Sequence, residues 1–290
     1  MSGSAHSTAT ADVAIAGLGF ALGGPAPAWD RDGRTFRPRG VAAAVCLRTA
    51  VGPPRGEGLG PVLFDPGSFW TARAHSRGFA IAIESPAGSG RLARLAVMEP
   101  TWAAGDITVH PDLPISGRPT PALAWPLDTL LITSLLAHRN GLLFHGAGLV
   151  VDGAGYLFTG PSGAGKSTVV KLLGGHDGVT VLNDERCIVR REAGGWRLYG
   201  TPWHGEVEEV AYGGVPLRKV FVLAQAAEHR AVPLAGGHAA RRLFGRCLWP
   251  FWDRAGMEGG LATLEALCRE VPSFTLHFRR DAGALACILE

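Results

Sequence analysis

Lysine is almost missing from this chain. Of its 28 basic residues only Lys166, Lys171 and Lys219 are lysine, the rest being arginine, and 25 acidic residues leave a net charge of +3. That balance excludes the basic excess by which nucleic-acid binders track a phosphate backbone. Long hydrophobic runs are also lacking, and no uninterrupted stretch is long enough to cross a bilayer. Neither nucleic acid nor a membrane is therefore expected as a partner. Cysteine is scarce: Cys46, Cys187, Cys247, Cys268 and Cys287 are odd in number, widely spaced and free of any C-x-x-C. This argues against a disulfide framework or a zinc site and for reduced thiols in the cytoplasm. The apolar stretch Val13–Leu22 has no Lys or Arg ahead of it, unlike a secretory signal.

What is present is apolar residue, 47% of 290, enough for a sizeable core in one large domain or two smaller ones. Residues 1–10 are small and polar and read as a disordered start. Residues 11–120 read as a smaller β-rich region of short strands and turns. Within it Phe79–Glu84 and Leu92–Val97 form an expected hairpin, with a further strand at Asp106–His110. Its edge would suit an extended peptide acceptor. Pro114–Pro121 reads as the linker. Residues 121–290 change character to α/β. Leu127–His138 has helical spacing and is stopped by Asn140-Gly141. Strands are expected at Leu142–His145, Ala147–Val151, Val179–Leu182, Cys187–Val189, Trp196–Tyr199, Lys219–Leu223 and Phe274–Phe278. Helices are expected around His238–Leu248 and Met257–Glu270, and there is no internal repeat.

The sharpest motif uses one of the three lysines. Gly160-Pro161-Ser162-Gly163-Ala164-Gly165-Lys166-Ser167-Thr168 fits G-x-x-x-x-G-K-[ST], the P-loop. A short strand, Gly155–Thr159, precedes it and a helix, Thr168–Leu173, follows, with Gly174-Gly175 as the stop. A glycine-rich turn between strand and helix points backbone N–H groups at one spot, where the helix dipole also favours anions. Lys166 would then meet the β/γ-phosphates of ATP and Ser167 would offer its hydroxyl to Mg²⁺. A second signal, Asn183-Asp184-Glu185-Arg186, follows beyond an apolar strand, with Asp184 18 residues after Lys166. If that strand neighbours the one before the loop, Asp184 emerges beside the phosphates and can bind Mg²⁺ or take a proton from an attacking hydroxyl. A turn-capping Asp is the alternative.

These segments resemble a known family. His145-Gly146, Val151-Asp152-Gly153-x-Gly155, the glycine-rich loop and Leu182-Asn183-Asp184-Glu185-Arg186 are similar to the C-terminal catalytic domain of HPr serine kinase/phosphorylase. That domain shares a structural superfamily with ATP-dependent phosphoenolpyruvate carboxykinase. Tyr199–Glu206 resembles a block of stand-alone relatives, some encoded beside genes for modified peptides. The resemblance covers roughly residues 127–280 and implies a mixed α/β nucleotide-binding domain of that type. It also implies Asp184 as general base, His145 facing the phosphates, and Ser167, Asp184 and Glu185 as metal ligands. Three departures limit it. Thr168 stands where the bifunctional enzymes carry Glu, no Arg-Gly-Leu-Gly signature follows, and residues 1–120 differ from their N-terminal domain. The resemblance therefore does not extend to HPr as substrate or to the reverse reaction.

The expected activity is transfer of the γ-phosphoryl group of ATP to a hydroxyl of a protein or peptide acceptor. A small-molecule kinase or carboxykinase and a non-catalytic ATP-binding accessory protein stay open, as does self-association into a homo-oligomer. His145 is equally readable as a satisfied strand-end histidine. Trp203 and His204 read as a lid or as loop packing, and Leu248–Trp252 as a junction between helices. Arg186, Arg218, Arg241, Arg242, Arg279 and Arg280 are equivalent candidates for a phosphate contact.

Overall fold

The computed structural model describes residues 12–23, 41–85, 90–113, 122–203, 205–207, 211, 213–281 and 283–289. The expected disordered start, the linker at 114–121, the tip of the hairpin at 86–89 and His204 lie outside the described residues. The chain divides into two compact units, Met1–Leu135 and Leu136–Glu290.

The first unit holds one sheet. Its strands are β1 (Val13–Ile15), β2 (Leu18–Gly23), β3 (Ala43–Val51), β4 (Leu59–Phe64), β5 (Trp70–His75), β6 (Gly78–Glu84), β7 (Leu92–Met98) and β8 (Ala104–Val109). Their order across the sheet is β1-β2-β3-β8-β7-β6-β5-β4. The β2–β3 and β3–β8 pairs are parallel and the others antiparallel. Ala16 and Gly17 both take positive φ, 51° and 74°, as a two-residue hairpin turn requires. The expected hairpin is β6–β7, but it offers no edge. β5 covers β6 and β8 covers β7, because the apolar pattern on both strands is satisfied only in the sheet interior. The unit continues past 120 into α1 (Leu127–Ala137), where the division falls. Arg94 of β7, fully buried, donates from Nη1 to the Ala124 carbonyl at 2.8 Å and faces Asp128. That buried contact ties the start of α1 to the first sheet.

The second unit is built on β9 (Gly141–Val151), β10 (Ala154–Thr159), β11 (Val179–Asn183), β12 (Arg186–Glu192), β13 (Gly195–Tyr199), β14 (Gly214–Gln225), β15 (Arg230–Leu234), β16 (Cys247–Leu248) and β17 (Ser273–Phe278). The two strands expected before the glycine-rich loop are one, β9. Asp152 and Gly153, at φ 49° and 78°, turn it into β10. Pairings close a circuit β9–β12–β13–β14–β10–β9, and β17 lies parallel to β14 on its outer side. α2 (Lys166–Leu173), α3 (Gly236–Phe244), α4 (Arg254–Glu270) and α5 (Ala284–Leu289) complete it. α3 stops earlier than expected because Cys247 and Leu248 leave helix to pair with Phe144 and Leu143. α4 starts earlier because Asp253 caps it, accepting from Gly256 N at 2.9 Å.

Alternation along the strands builds two cores. Tyr156, Phe158, Phe221 and Leu223 point to the side of Val169, Val170 and Leu173 of α2 and Ile288 of α5. Leu157, Val220 and Val222 point to the side of Leu243 of α3 and Leu264 and Leu267 of α4. The protein is thus mixed α/β, strand-rich, with two mixed sheets. Among the described residues no helix is long and apolar enough to cross a membrane.

Phe221 is fully buried and stacks on Phe158 with centroids 5.4 Å apart. Phe221→Ala is expected to cost about 3–5 kcal/mol, whereas Val51→Ala, at a position 73% exposed, should stay within about 0.5 kcal/mol. Urea unfolding of both variants measures the contrast.

Candidate functional site

β10, β14 and β17 run parallel, so their C-terminal ends lie on one side of the sheet, where open α/β sheets place their ligands. β10 leads there into Gly160–Gly165 and α2. Gly165, at φ 106°, is required twice over: a side chain would be strained, and a Cβ would sit 2.7 Å from the Phe278 ring. The Gly165 carbonyl accepts the first helical bond, from Val169 N at 2.9 Å. Gln225, at the end of β14, donates to the Gly163 carbonyl at 2.8 Å. The Lys166 ammonium reaches back over the loop, 3.4 and 3.5 Å from the carbonyls of Gly160 and Pro161. Those are long contacts for a charged donor, so its charge is only loosely satisfied. Burial lowers its pKa; Glu185 opposes this and Arg246 adds to it.

The acidic pair arrives by a different route from the expected one. β11 pairs with β9, not with β10, because the β9–β10 hairpin puts β9 between them. Both β10 and β11 are antiparallel to β9, however, so β11 still ends at the same side of the sheet. There Asn183, fully buried, uses its whole amide. Its Oδ1 accepts from Glu185 N at 2.7 Å and Arg186 N at 2.8 Å, and its Nδ2 donates to the carbonyls of Thr201 and Trp203, both at 2.9 Å. This turn projects Asp184, 1% exposed. Asp184 Oδ1 accepts from Gly205 N at 2.7 Å, and Oδ2 accepts from Glu206 N at 2.8 Å and Val207 N at 3.1 Å. Glu206 in turn pairs with Lys171 of α2 at 2.5 Å.

His145 stands on β9 opposite Arg186 of β12. Its N–H donates to the Arg246 carbonyl at 2.8 Å, and its own carbonyl accepts from Thr159 Oγ1 at 2.9 Å. The imidazole Nδ1 lies 3.5 Å from Glu185 Oε1. Burial, then the nearby Lys166 charge, hold its pKa below the usual range against the pull of Glu185. Both effects favour the neutral ring, the form that can accept a proton.

One cleft of about 360 Å³ collects these groups: His145, Ser162, Gly163, Gly165, Lys166, Ser167, Thr168, Lys171, Asp184, Glu185, Glu206 and Arg280 line it. Gly160, Pro161 and Ala164 complete the loop behind that lining; Ala164 N closes it by donating to the Pro161 carbonyl at 3.1 Å. Of the six candidate arginines, Arg280 lines the cleft, while Arg186 lies over the Trp203 ring, 5.7 Å from its centroid. Sequence reasoning missed Arg246, which acts on Lys166 electrostatically and whose Nε is buried without a hydrogen-bond partner among the described residues. It also missed Lys171 and Glu206, and the positioning amide of Asn183. Only Asn183 carried a signal, being an Asn followed by two residues whose N–H groups its side chain can cap.

The donor set fits a phosphate anion: a loosely satisfied ammonium, a helix start and glycine-rich backbone share one cleft. For a divalent cation the fit is narrower. An ionised carboxylate has about four acceptor sites, and backbone N–H groups fill three of those of Asp184, leaving one on Oδ1. That site, Ser167 and Glu185 can serve a metal already carried by phosphate. Among the described residues no group of three His, Cys, Asp or Glu side chains can hold a metal by itself.

Asn183→Ala would remove the amide that joins the N–H groups of Glu185 and Arg186 to the carbonyls of Thr201 and Trp203. Unfolding free energy should fall by about 2–4 kcal/mol, read by urea denaturation. A smaller loss than 1 kcal/mol would mean that water replaces the amide.

A family profile described as "ScmC: SynChlorMet cassette protein ScmC" matches residues 127–277, which take in all the cleft residues but Arg280. No curated protein matches the chain. With the match spanning more than half of its length, the protein belongs to the ScmC family of SynChlorMet cassette proteins.

Proposed function

We propose that this protein is a Mg²⁺- and ATP-dependent kinase that transfers the γ-phosphoryl group to a serine or other hydroxyl of a protein or peptide. The observation that carries the reading is the juxtaposition in one cleft of the Gly160–Ser167 loop, the loosely held Lys166 ammonium and the Asp184–Glu185 pair. The resemblance to the HPr serine kinase catalytic domain supports the same reading and the same nucleotide-binding fold. The family's description as a cassette protein is compatible with an acceptor supplied by that cassette, a ribosomally made precursor peptide among them.

In this reading the loop backbone and Lys166 would bind the ATP phosphates, and Ser167 and Glu185 would hold the metal side, the one free acceptor site of Asp184 being kept for the acceptor's proton. Mg²⁺ supplies neutralisation of the phosphate charge. The acceptor oxygen forms the new bond to phosphorus, the bond to the β-phosphate oxygen breaks, and ADP leaves. The hydroxyl proton passes to the free acceptor site on Asp184 Oδ1, with His145 and Glu185 lining the same cleft. A second reading has one observation in its favour. Asp184 has only one acceptor site free, which suits a nucleotide-binding accessory protein that changes shape without transferring phosphate.

Mass spectrometry of candidate peptides incubated with the protein and Mg-ATP separates the two: a phosphate adduct is expected on the acceptor, and binding without any adduct would favour the accessory reading. Lys166→Ala should weaken Mg-ATP binding by about 2 kcal/mol or more, measured by isothermal titration; an unchanged affinity would make the loop structural. Asp184→Asn should abolish transfer, and its NH₂ group must face at least one backbone N–H now bound to carboxylate. That variant should therefore also lose about 1–3 kcal/mol of stability, so its melting point and its turnover must be measured together. Turnover near the wild-type rate would remove Asp184 from the chemistry.

A further inference from the structure

Beyond the cleft, the turns after β14 and β17 are joined by a polar network. Asp281 Oδ2 accepts from Arg279 Nε at 2.5 Å, and Oδ1 accepts from Gly283 N at 2.9 Å and from His229 Nε2 at 2.7 Å. An ionised carboxylate only accepts, so Nε2 of His229 carries the hydrogen. Its Nδ1 is buried without a hydrogen-bond partner among the described residues. The ring packs against Gly283, where a Cβ would come within 3.0 Å of Nε2. The hydrogen bond of Arg279, then those of His229 and the Gly283 amide, pull the Asp281 carboxyl down to about 2. It is an anion at any pH used for assay.

This network has a geometric consequence. Arg280 lies between its two members Arg279 and Asp281, and it lines the cleft together with Lys166 and Ser162. The β14 end contributes twice: Gln225 fixes the Gly163 carbonyl of the glycine-rich loop, and His229, in the turn after it, fixes Asp281. The loop and the arginine are thereby referenced to the same strand. A guanidinium on this lining would meet an anion from the side of β17, and Lys166 would meet it from α2. Arg280 itself is exposed; a long side chain on an unbraced turn would lose much of its contact energy to ordering.

We propose that Arg280 is a phosphate-binding residue for the nucleotide, and that Asp281, braced by His229 and Arg279, is its positioning residue. The proposal rests on the nucleotide-binding reading above and names which arginine serves it.

The test is titration of the full-length chain with Mg-ATP and Mg-ADP, using wild type, Arg280→Ala, Arg280→Lys, Asp281→Asn, Arg279→Ala and the double variant Arg280→Ala/Asp281→Asn. Arg280→Ala should weaken Mg-ATP binding about tenfold, and Arg280→Lys should recover part of the loss. Asp281→Asn should weaken binding in the wild-type background and have no further effect in the Arg280→Ala background. Arg279→Ala, at an exposed position, leaves the Asp281 carboxylate in place and should give a smaller loss of the same kind should the asparagine variant not fold. Wild-type binding with Arg280→Ala unchanged would overturn this inference alone. An Asp281→Asn loss that persists without Arg280 would reduce Asp281 to a structural role and overturn its positioning. Failure of wild type to bind either nucleotide would overturn the nucleotide-binding reading together with it.

Discussion

The buried carboxylate of Asp184 is the interaction on which the cleft depends. A charge that is 1% exposed is tolerated only when hydrogen bonds replace the water it has lost, and three backbone N–H groups from Gly205, Glu206 and Val207 do so. Those bonds bring the segment after Trp203 to the end of β11, and Gly205 is glycine because a Cβ would come within 3.0 Å of the carboxylate. Asn183 works from the other side, tying the same segment through the carbonyls of Thr201 and Trp203. The acidic pair is therefore both a functional candidate and the anchor of its own surroundings.

Charge around the cleft is balanced rather than uniform. Lys166, Lys171 and Arg280 face Asp184, Glu185 and Glu206. Lys171 and Glu206 pair with each other at the exposed rim, where 56% and 66% side-chain exposure makes the pair weak. Lys166 is different: it is buried and depressed in pKa, and among the described residues its hydrogen bonds go to the distant carbonyls of Gly160 and Pro161. An anion entering the cleft would meet an under-satisfied cation there and would not need to break a strong ion pair. That asymmetry is what makes the nucleotide-binding proposal physically economical.

Tertiary pairing overrode local pattern in three places. The helix expected to reach Leu248 ends at Phe244, since Cys247 and Leu248 pair with β9. The hairpin expected to present a free edge lies inside its sheet. β11 joins β9 instead of β10, yet Asp184 still reaches the loop because β10 and β11 share a direction. The first two depend on what other segments supply as partners, which no local window contains.

The sequence by itself determined the strand–glycine-rich turn–helix, the Asp152-Gly153 hairpin, the mixed α/β character and the presence of His145, Lys166, Ser167, Asp184 and Glu185 as a set. Each rests on short-range rules: positive φ at glycine, turn chemistry, and alternation of apolar residues. Tertiary structure alone decided that Arg280 lines the cleft while the other candidate arginines are not among its lining, that Arg246 comes close enough to act on Lys166, and that Asp184 spends three of its acceptor sites on backbone. Arginine carries the same chemistry wherever it lies in the chain, and a backbone N–H leaves no trace in sequence. Which of them meet is set by the pairing of β9, β14 and β17, across separations such as the 62 residues between Gly163 and Gln225.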